Sequence, residues 1–156
     1  MLPVNEFILK VASRCNLDCD YCYEYRFDDS WRAQPAVMSL ETAAHAAERV
    51  AEHVQTHRLE RVMVALHGGE PMLAGPERIG RIARLLRERI EPAAALDLTM
   101  QSNATLVTDA MVEVLLRERI AVGVSIDGPA AVNDLHRLDH AGRSSFEATR
   151  RGLEHL

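Results

Sequence analysis

Short apolar, partly β-branched runs alternate four times with longer amphipathic stretches, and this order narrows the possible folds more than any other feature. Phe7-Ile8-Leu9-Lys10-Val11, Val62-Met63-Val64-Ala65-Leu66, Leu96-Asp97-Leu98-Thr99-Met100 and Val122-Gly123-Val124-Ser125-Ile126 read as strands. Ser39 offers an N-cap to the first helical stretch, Glu41 suits its positive end, and Ala43, Ala47, Val50, Ala51 and Val54 recur on one face. Pro76 sits in the first turn of the second, Ile79, Ile82, Ala83, Leu86 and Ile90 form its stripe, and Pro92 marks its end. Thr108 caps a third, carrying Met111, Val112, Leu115 and Leu116. Ser144 or Ser145 starts the last, with Phe146, Thr149, Leu153 and Leu156 on one side. Strand–helix order with helices of this length predicts an α/β fold with a parallel sheet, either open or part of a barrel. No internal repeat, low-complexity run or linker divides the 156 residues, so one domain is expected.

Composition removes several classes of function. A formal net charge of −5 offers no basic surface to nucleic acid. No apolar run approaches the roughly 20 residues that span a bilayer, and Met1 to Lys10 lacks a signal-peptide pattern. The expectation is a soluble cytoplasmic protein with no nucleic-acid or membrane partner.

The cysteines point to chemistry. There are three, an odd number, and all fall between Cys15 and Cys22. A disulfide framework wants an even count spread along the chain, whereas clustered thiols in a cytosolic protein bind metal or do redox work. Their spacing, C-x3-C-x2-C, lets each thiolate reach a different iron of a cubane cluster and leaves the fourth iron open. Zinc is the main competitor, but a structural zinc site wants four closed ligands, and only His67 is at hand as a fourth. Three buried free thiols are the remaining alternative.

Placement strengthens the case. In parallel α/β folds, chemistry gathers on the loops that leave the carboxyl ends of the strands. The first such loop carries the cysteines and the second carries His67-Gly68-Gly69-Glu70-Pro71. The third strand ends in Gln101-Ser102-Asn103. The fourth runs through Ser125 into Asp127-Gly128-Pro129 and Asn133-Asp134-Leu135-His136-Arg137. All four should converge on one face.

With Cys15-Asn16-Leu17-Asp18-Cys19-Asp20-Tyr21-Cys22 and these following motifs in order, the chain resembles the radical S-adenosylmethionine (SAM) superfamily, from Val4 to Leu156. Within it, the chain resembles the peptide- and protein-modifying branch, which includes anaerobic sulfatase-maturating enzymes and radical SAM/SPASM peptide maturases. The resemblance implies a partial TIM-like (β/α)6 barrel and a [4Fe–4S] cluster on Cys15, Cys19 and Cys22. SAM would chelate the unique iron and be cleaved reductively to a 5′-deoxyadenosyl radical. It further implies that Gly68, Gly69, Glu70 and Pro71 bind the methionine amino group, Glu70 accepting from the ammonium, and that Tyr21 packs near the adenine. Gln101, Ser125 and Arg137 match positions of ribose or carboxylate contact. The Arg137 fork suits a carboxylate, but an isolated arginine is as readily a solvated charge. Asn103 and Asp127 are further candidates, with strand-end capping and a turn as their plainer roles.

Sulfatase-maturating enzymes commonly carry glutamine before the double glycine, where this chain has His67. His67 through Pro71, Ser30-Trp31-Arg32 and Asn133 through Arg137 look closer to the FxsB-type maturases, which implies a peptide substrate and an intrapeptide crosslink. A reductant such as flavodoxin or ferredoxin is the implied electron donor. The family barrel typically has six βα units and four are counted here. Residues 1–156 are therefore expected to be a radical SAM core domain without its last units and any SPASM-type extension. A non-catalytic cluster- or zinc-binding module, and sulfatase-maturating-type oxidation of Cys or Ser, stand as alternatives. His45, His53 and His57 are read as a wet helix face, and the arginines from Arg78 to Arg89 as its counterpart on the second helix.

Overall fold

A computed structural model describes residues 3–27 and 29–156; Met1, Leu2 and Asp28 lie outside them. The four strands are β1 (Glu6–Ala12), β2 (Arg61–Gly68), β3 (Ala95–Ser102) and β4 (Ile120–Val124). They form one parallel sheet in the order β1-β2-β3-β4, so each strand lies beside its neighbours in sequence. The helices are α1 (Tyr23–Arg26), α2 (Leu40–His57), α3 (Pro76–Ile90), α4 (Asp109–Arg117), α5 (Ala130–Asn133) and α6 (Phe146–His155). The expected α/β architecture is present, with a helix after every strand.

Capping follows the sequence. Ser39 Oγ accepts from Thr42 N–H at 3.0 Å, and Thr108 Oγ1 accepts from Met111 N–H at 3.2 Å. Each bond satisfies one donor that the first helical turn leaves open. Gly75, at φ +77°, turns the chain into α3, with Pro76 as its first residue.

The core lies on one face of the sheet. Val62, Val64 and Leu66 of β2 alternate with half-exposed residues, as do Leu96, Leu98 and Met100 of β3. They pack beneath Ala43, Ala47, Val50 and Val54 of α2, Ile79, Ile82, Ala83, Leu86 and Ile90 of α3, and Met111, Val114 and Leu115 of α4. On the opposite face the register places Ile8, Ala65, Thr99 and Ala121 side by side. With Glu6, His67 and Gln101 they line a hollow of about 430 Å³. The second strand therefore has one covered face.

Three details depart from the sequence reading. β4 runs from Ile120 to Val124 rather than 122–126, which leaves Ser125 and Ile126 beyond its end. Arg119 adopts a left-handed φ of +52° directly after α4 and starts the strand early without the glycine that usually marks such a turn. At the other end, Val124 pairs with Ser102, the last residue of β3, so the ladder has no further partner. The buried face of α4 is Met111, Val114 and Leu115, while Leu116 is 73% exposed. In α6 the buried residues are Thr149 and Gly152, and Leu153 and Leu156 face a shallow apolar groove along the outer edge of β4. Among the described residues no strand covers that edge, so side chains that the periodicity assigned to a core lie open.

Gly152 lets α6 approach the sheet. A Cβ there would stand 1.8 Å from the carbonyl oxygen of Ala104, which itself holds a left-handed φ of +57°. Gly152→Ala is expected to lower stability by about 1–3 kcal/mol, the usual cost of overpacking, measured by urea unfolding. An unchanged midpoint would show that α6 does not sit where described.

Candidate metal and cofactor centre

The cysteine loop leaves β1 and is fastened from several sides. Arg14 Nη1 donates to the carbonyls of Ser13 and Trp31, at 3.0 and 2.7 Å, and Arg14 Nη2 reaches those of Arg32 and Gln34. Arg26 donates to the carbonyls of Cys19 and Asp18, at 3.2 and 3.0 Å, and to the Asp18 carboxylate at 2.9 Å. The segment after α5 clasps the loop from outside. Asp18 N–H donates to Leu138 O at 2.8 Å, and Asp20 N–H to His136 O at 3.3 Å. His136 Nδ1 lies 3.0 Å from the Asp20 carboxylate, and His140 Nε2 lies 2.9 Å from Cys15 O. Neither Arg14, Arg26 nor His140 stood out in the sequence, because a lone charged residue beside a motif looks like a solvated one.

The double glycine answers to the protein's own backbone. Gly68 has φ +132°, and a Cβ on it would lie 2.0 Å from Ala12 O. A Cβ on Gly69 would lie 1.8 Å from the Tyr25 hydroxyl and 2.4 Å from Arg14 O. This closeness lets Gly69 N–H donate to Ala12 O at 3.0 Å and Glu70 N–H to Arg14 O at 2.9 Å. The loops after β1 and β2 are thereby sewn together.

Glu70 extends the seam to β3. It is 1% exposed, and its carboxylate accepts from Met72 N–H at 2.9 Å, Ser102 Oγ at 2.8 Å and Asn103 N–H at 2.8 Å. Burial pushes its pKa up, and these three donors pull against that shift. Three of roughly four carboxylate lone pairs are thus already taken inside the protein. Pro71, buried, begins the short 3₁₀ turn Pro71–Ala74 that Glu70 caps.

The remaining predicted residues fall into two groups. Gln101 Nε2 donates to Ser125 Oγ at 2.7 Å on the rim of the open face. Tyr21, Asp127 and Arg137 form a second group, in which Tyr21 Oη donates to Asp127 Oδ2 at 2.5 Å and Arg137 Nη1 donates to Tyr21 Oη at 2.8 Å. The Arg137 side chain is only 11% exposed and lies 3.7 Å from Asp127 Oδ1, so it is no solvated charge. Asn103 does make a strand-end cap, its Oδ1 accepting from Thr105 N–H at 3.0 Å. Its amide also donates to Asn16 Oδ1 at 3.0 Å and faces Cys15 Sγ at 3.9 Å.

The three cysteines are free thiols. Burial pushes the Cys15 thiol up to about 11, and burial raises Cys19 too, opposed by the nearby Arg137 charge. Among the described residues, no three His, Cys, Asp or Glu side chains are gathered tightly enough for one metal ion. Zinc, at about 2.3 Å from each thiolate, needs its sulfurs within about 4 Å of one another. A cubane takes one thiolate at each of three separate irons. All three cysteines lie on the one loop after β1 as free, half-buried thiols, the donor set such a cluster would take. Around this rim, Tyr25 Oη, His67 Nδ1 and Arg137 Nε are buried with no hydrogen-bond partner. His45 and His57 are exposed; the His57 ring lies against that of His53, centroids 4.3 Å apart, and His53 Nε2 contacts Val4 O at 2.8 Å. Of the α3 arginines, Arg78 donates to Met38 O, Arg84 to the Glu118 carboxylate and Arg87 to the Glu118 carbonyl.

Fold and site together define a parallel α/β protein with three free thiols on the loop that leaves the carboxyl end of its first strand. The family model described as the Radical SAM superfamily matches residues 9–156, and the chain belongs to that superfamily. A cysteine-type anaerobic sulfatase-maturating enzyme of Clostridium perfringens is 30% identical over 155 residues, 99% of this chain and 41% of that protein. A serine-type enzyme of Bacteroides thetaiotaomicron is also 30% identical, over 99% of this chain and 36% of its own length. Among solved structures, "Native anSMEcpe with bound AdoMet" superposes with a TM-score of 0.80 at 28% identity, over 97% of this chain and 41% of that one. A related structure, "Native anSMEcpe with bound AdoMet and Cp18Cys peptide", gives 0.80 over 98% and 39%. The chain thus spans about two fifths of the relatives it matches.

Glu70→Gln is expected to destabilise the metal-free protein by about 1–3 kcal/mol, because an amide cannot accept from all three donors. Urea melts test this, and an unchanged midpoint would mean that the carboxylate is not holding the loops. The raised Cys15 value has a pH consequence. Between about 9 and 11 the folded thiol keeps a proton that the unfolded chain has lost, so stability falls as pH rises through that window. The loss attributable to Cys15 is at most about 2–3 kcal/mol, and it should be missing from Cys15→Ser in melts taken across the same pH range.

Proposed function

We propose that Cys15, Cys19 and Cys22 hold a [4Fe–4S] cluster, that Gly68 to Pro71 bind the methionine end of SAM, and that the chain contributes hydrogen abstraction from a peptide. The observation that carries this reading is the convergence of three free thiols, the Gly68–Pro71 turn and Arg137 at one end of the sheet. Bound by these three cysteines and reduced by an external donor, such a cluster would supply the one electron needed to split the carbon–sulfur bond of SAM into methionine and a 5′-deoxyadenosyl radical.

The chain's own residues supply position. The buried Glu70 carboxylate fixes the turns after β2 and β3, while backbone oxygens near Gly68 and Gly69, with the last Glu70 lone pair, offer acceptors to an ammonium. Arg137, held by Tyr21 and Asp127, presents its guanidinium beside Cys19, where a ligand carboxylate would replace a bond it now makes internally. Gln101 and Ser125 form a polar pair of the right kind for ribose hydroxyls. The hollow on the open sheet face lies directly below this rim and gives a peptide side chain a route to it.

Asn103 and Asp127 act as second supports, for the Cys15–Asn16 turn and for Arg137. The motifs shared with FxsB-type maturases support an intrapeptide crosslink as the product. The sulfatase-maturating relatives support a second reading, oxidation of a Cys or Ser side chain, which begins with the same abstraction. A cytoplasmic location and a flavodoxin or ferredoxin reductant fit low-potential cluster chemistry. Among the described residues no helix is long and apolar enough to cross a membrane.

Anaerobic reconstitution should load about four irons per chain in the wild type and far less in Cys19→Ala. Dithionite and SAM should then yield 5′-deoxyadenosine. Zinc binding with no iron would overturn the reading, and a loaded cluster that releases no 5′-deoxyadenosine would favour a non-catalytic binding module.

A further inference from the structure

Gly123 stands inside β4, where a strand gains nothing from glycine. Glycine in a strand interior loses entropy and packs nothing, so it marks a place where something else needs the room. Its backbone does not require it, because Gly123 has no positive φ. The register makes it the direct neighbour of Gln101 on β3, and both line the hollow on the open sheet face.

A Cβ on Gly123 would stand 2.4 Å from Gln101 Oε1, 3.3 Å from its Cδ and 3.6 Å from its Nε2. The Gln101 side chain therefore lies across β4 in the space the glycine leaves, whereas side chains on a pleated surface ordinarily stand out from it. From there Nε2 donates to Ser125 Oγ at 2.7 Å. Ser125 is fixed in turn, since its N–H donates to Ser102 O at 2.9 Å just past the last paired residues of β3 and β4. With its oxygen accepting from Gln101, the Ser125 hydroxyl keeps its own proton for another acceptor. The pair thus carries a hydroxyl donor and an amide acceptor, a combination that the hydroxyls of a sugar can satisfy.

The close contact at Gly123 is with the far end of a flexible side chain and not with backbone. A methyl group at 123 is accommodated by swinging the amide aside, which breaks its bond to Ser125. The core is untouched, because Gly123 faces the hollow and takes no part in the packed cluster under the helices.

We propose that Gly123 is a positioning residue for SAM: its missing side chain seats the Gln101 amide across β4 and so sets the Gln101–Ser125 pair for the ribose. The proposal rests on the SAM reading above. Gly123 acts through Gln101, not by leaving space for the ligand itself.

The test is a double-mutant cycle in the full chain, built from wild type, Gly123→Ala, Gln101→Ala and the double variant. The metal-free proteins report the seat. The side-chain NH2 signal of Gln101 in the NMR spectrum, assigned by its loss in Gln101→Ala, should leave its wild-type position in Gly123→Ala and fall where Ser125→Ala puts it. After anaerobic reconstitution, iron per chain should equal that of wild type. SAM affinity of the oxidised protein, read by equilibrium dialysis, should fall about three- to tenfold in Gly123→Ala, as for the loss of one hydrogen bond. In the Gln101→Ala background the same substitution should change it by less than about twofold. An unmoved Gln101 signal overturns the proposal, and so does undiminished affinity or reduced iron in Gly123→Ala. Equal loss in both backgrounds also overturns it, and would mean that the glycine makes room for SAM directly. Should Gly123→Ala fail to fold, the double variant, freed of the colliding amide, must fold; failure of both overturns the proposal. Wild type that loads iron and binds no SAM overturns the SAM reading instead, while the Gln101 signal still tells whether Gly123 seats the amide.

Discussion

The absence of side chains at Gly68 and Gly69 is the constraint on which the site depends. Only there does the chain leaving β2 come close enough to the chain leaving β1 for Ala12 O and Arg14 O to take two consecutive backbone N–H groups. That contact sets the height of Cys15 above the sheet. It also aims Glu70 into the interior, where its carboxylate ties down Ser102 and Asn103 at the end of β3. Three strand ends are thus locked to one another before any ligand arrives. A cofactor bound at this rim meets a preformed surface and need not order it.

A second layer holds the cysteine loop from outside. Loops carry backbone groups that no regular ladder satisfies, and the loop that carries the three free cysteines must find partners for them elsewhere. Here the carbonyls of Cys15, Cys19 and Asp18 are met by His140 and Arg26, and the N–H groups of Asp18 and Asp20 by the segment around His136–Leu138. The elements after β4 therefore serve the elements after β1, although more than a hundred residues separate them. Membership of the radical SAM superfamily accounts for why the same strand ends carry all of these groups.

Much of this was legible in the residues. The helical stripes of α2 and α3 were read residue by residue, because each helix packs flat on the sheet and its period has one interpretation. The turn at Gly68–Pro71 was likewise visible, since a close backbone approach demands glycine. The α6 face was read in part: Thr149 is buried as expected, but Leu153 and Leu156 lie open although they keep the right period, and the closest approach to the backbone at Ala104 falls to Gly152. The end of β4 was misplaced because Arg119, not glycine, makes the left-handed turn before it.

The sequence by itself determined the element order, the parallel sheet and the three thiols, because periodicity and ligand chemistry are local properties. The tertiary structure alone decided that Glu70 is a buried brace, that Arg137 is tethered to Tyr21 and Asp127, and that Tyr25 turns its hydroxyl toward Gly69. Those facts depend on which carbonyls and N–H groups remain unpaired once distant loops are brought together. No local pattern encodes that accounting, because a donor is satisfied or orphaned only by its neighbours in space.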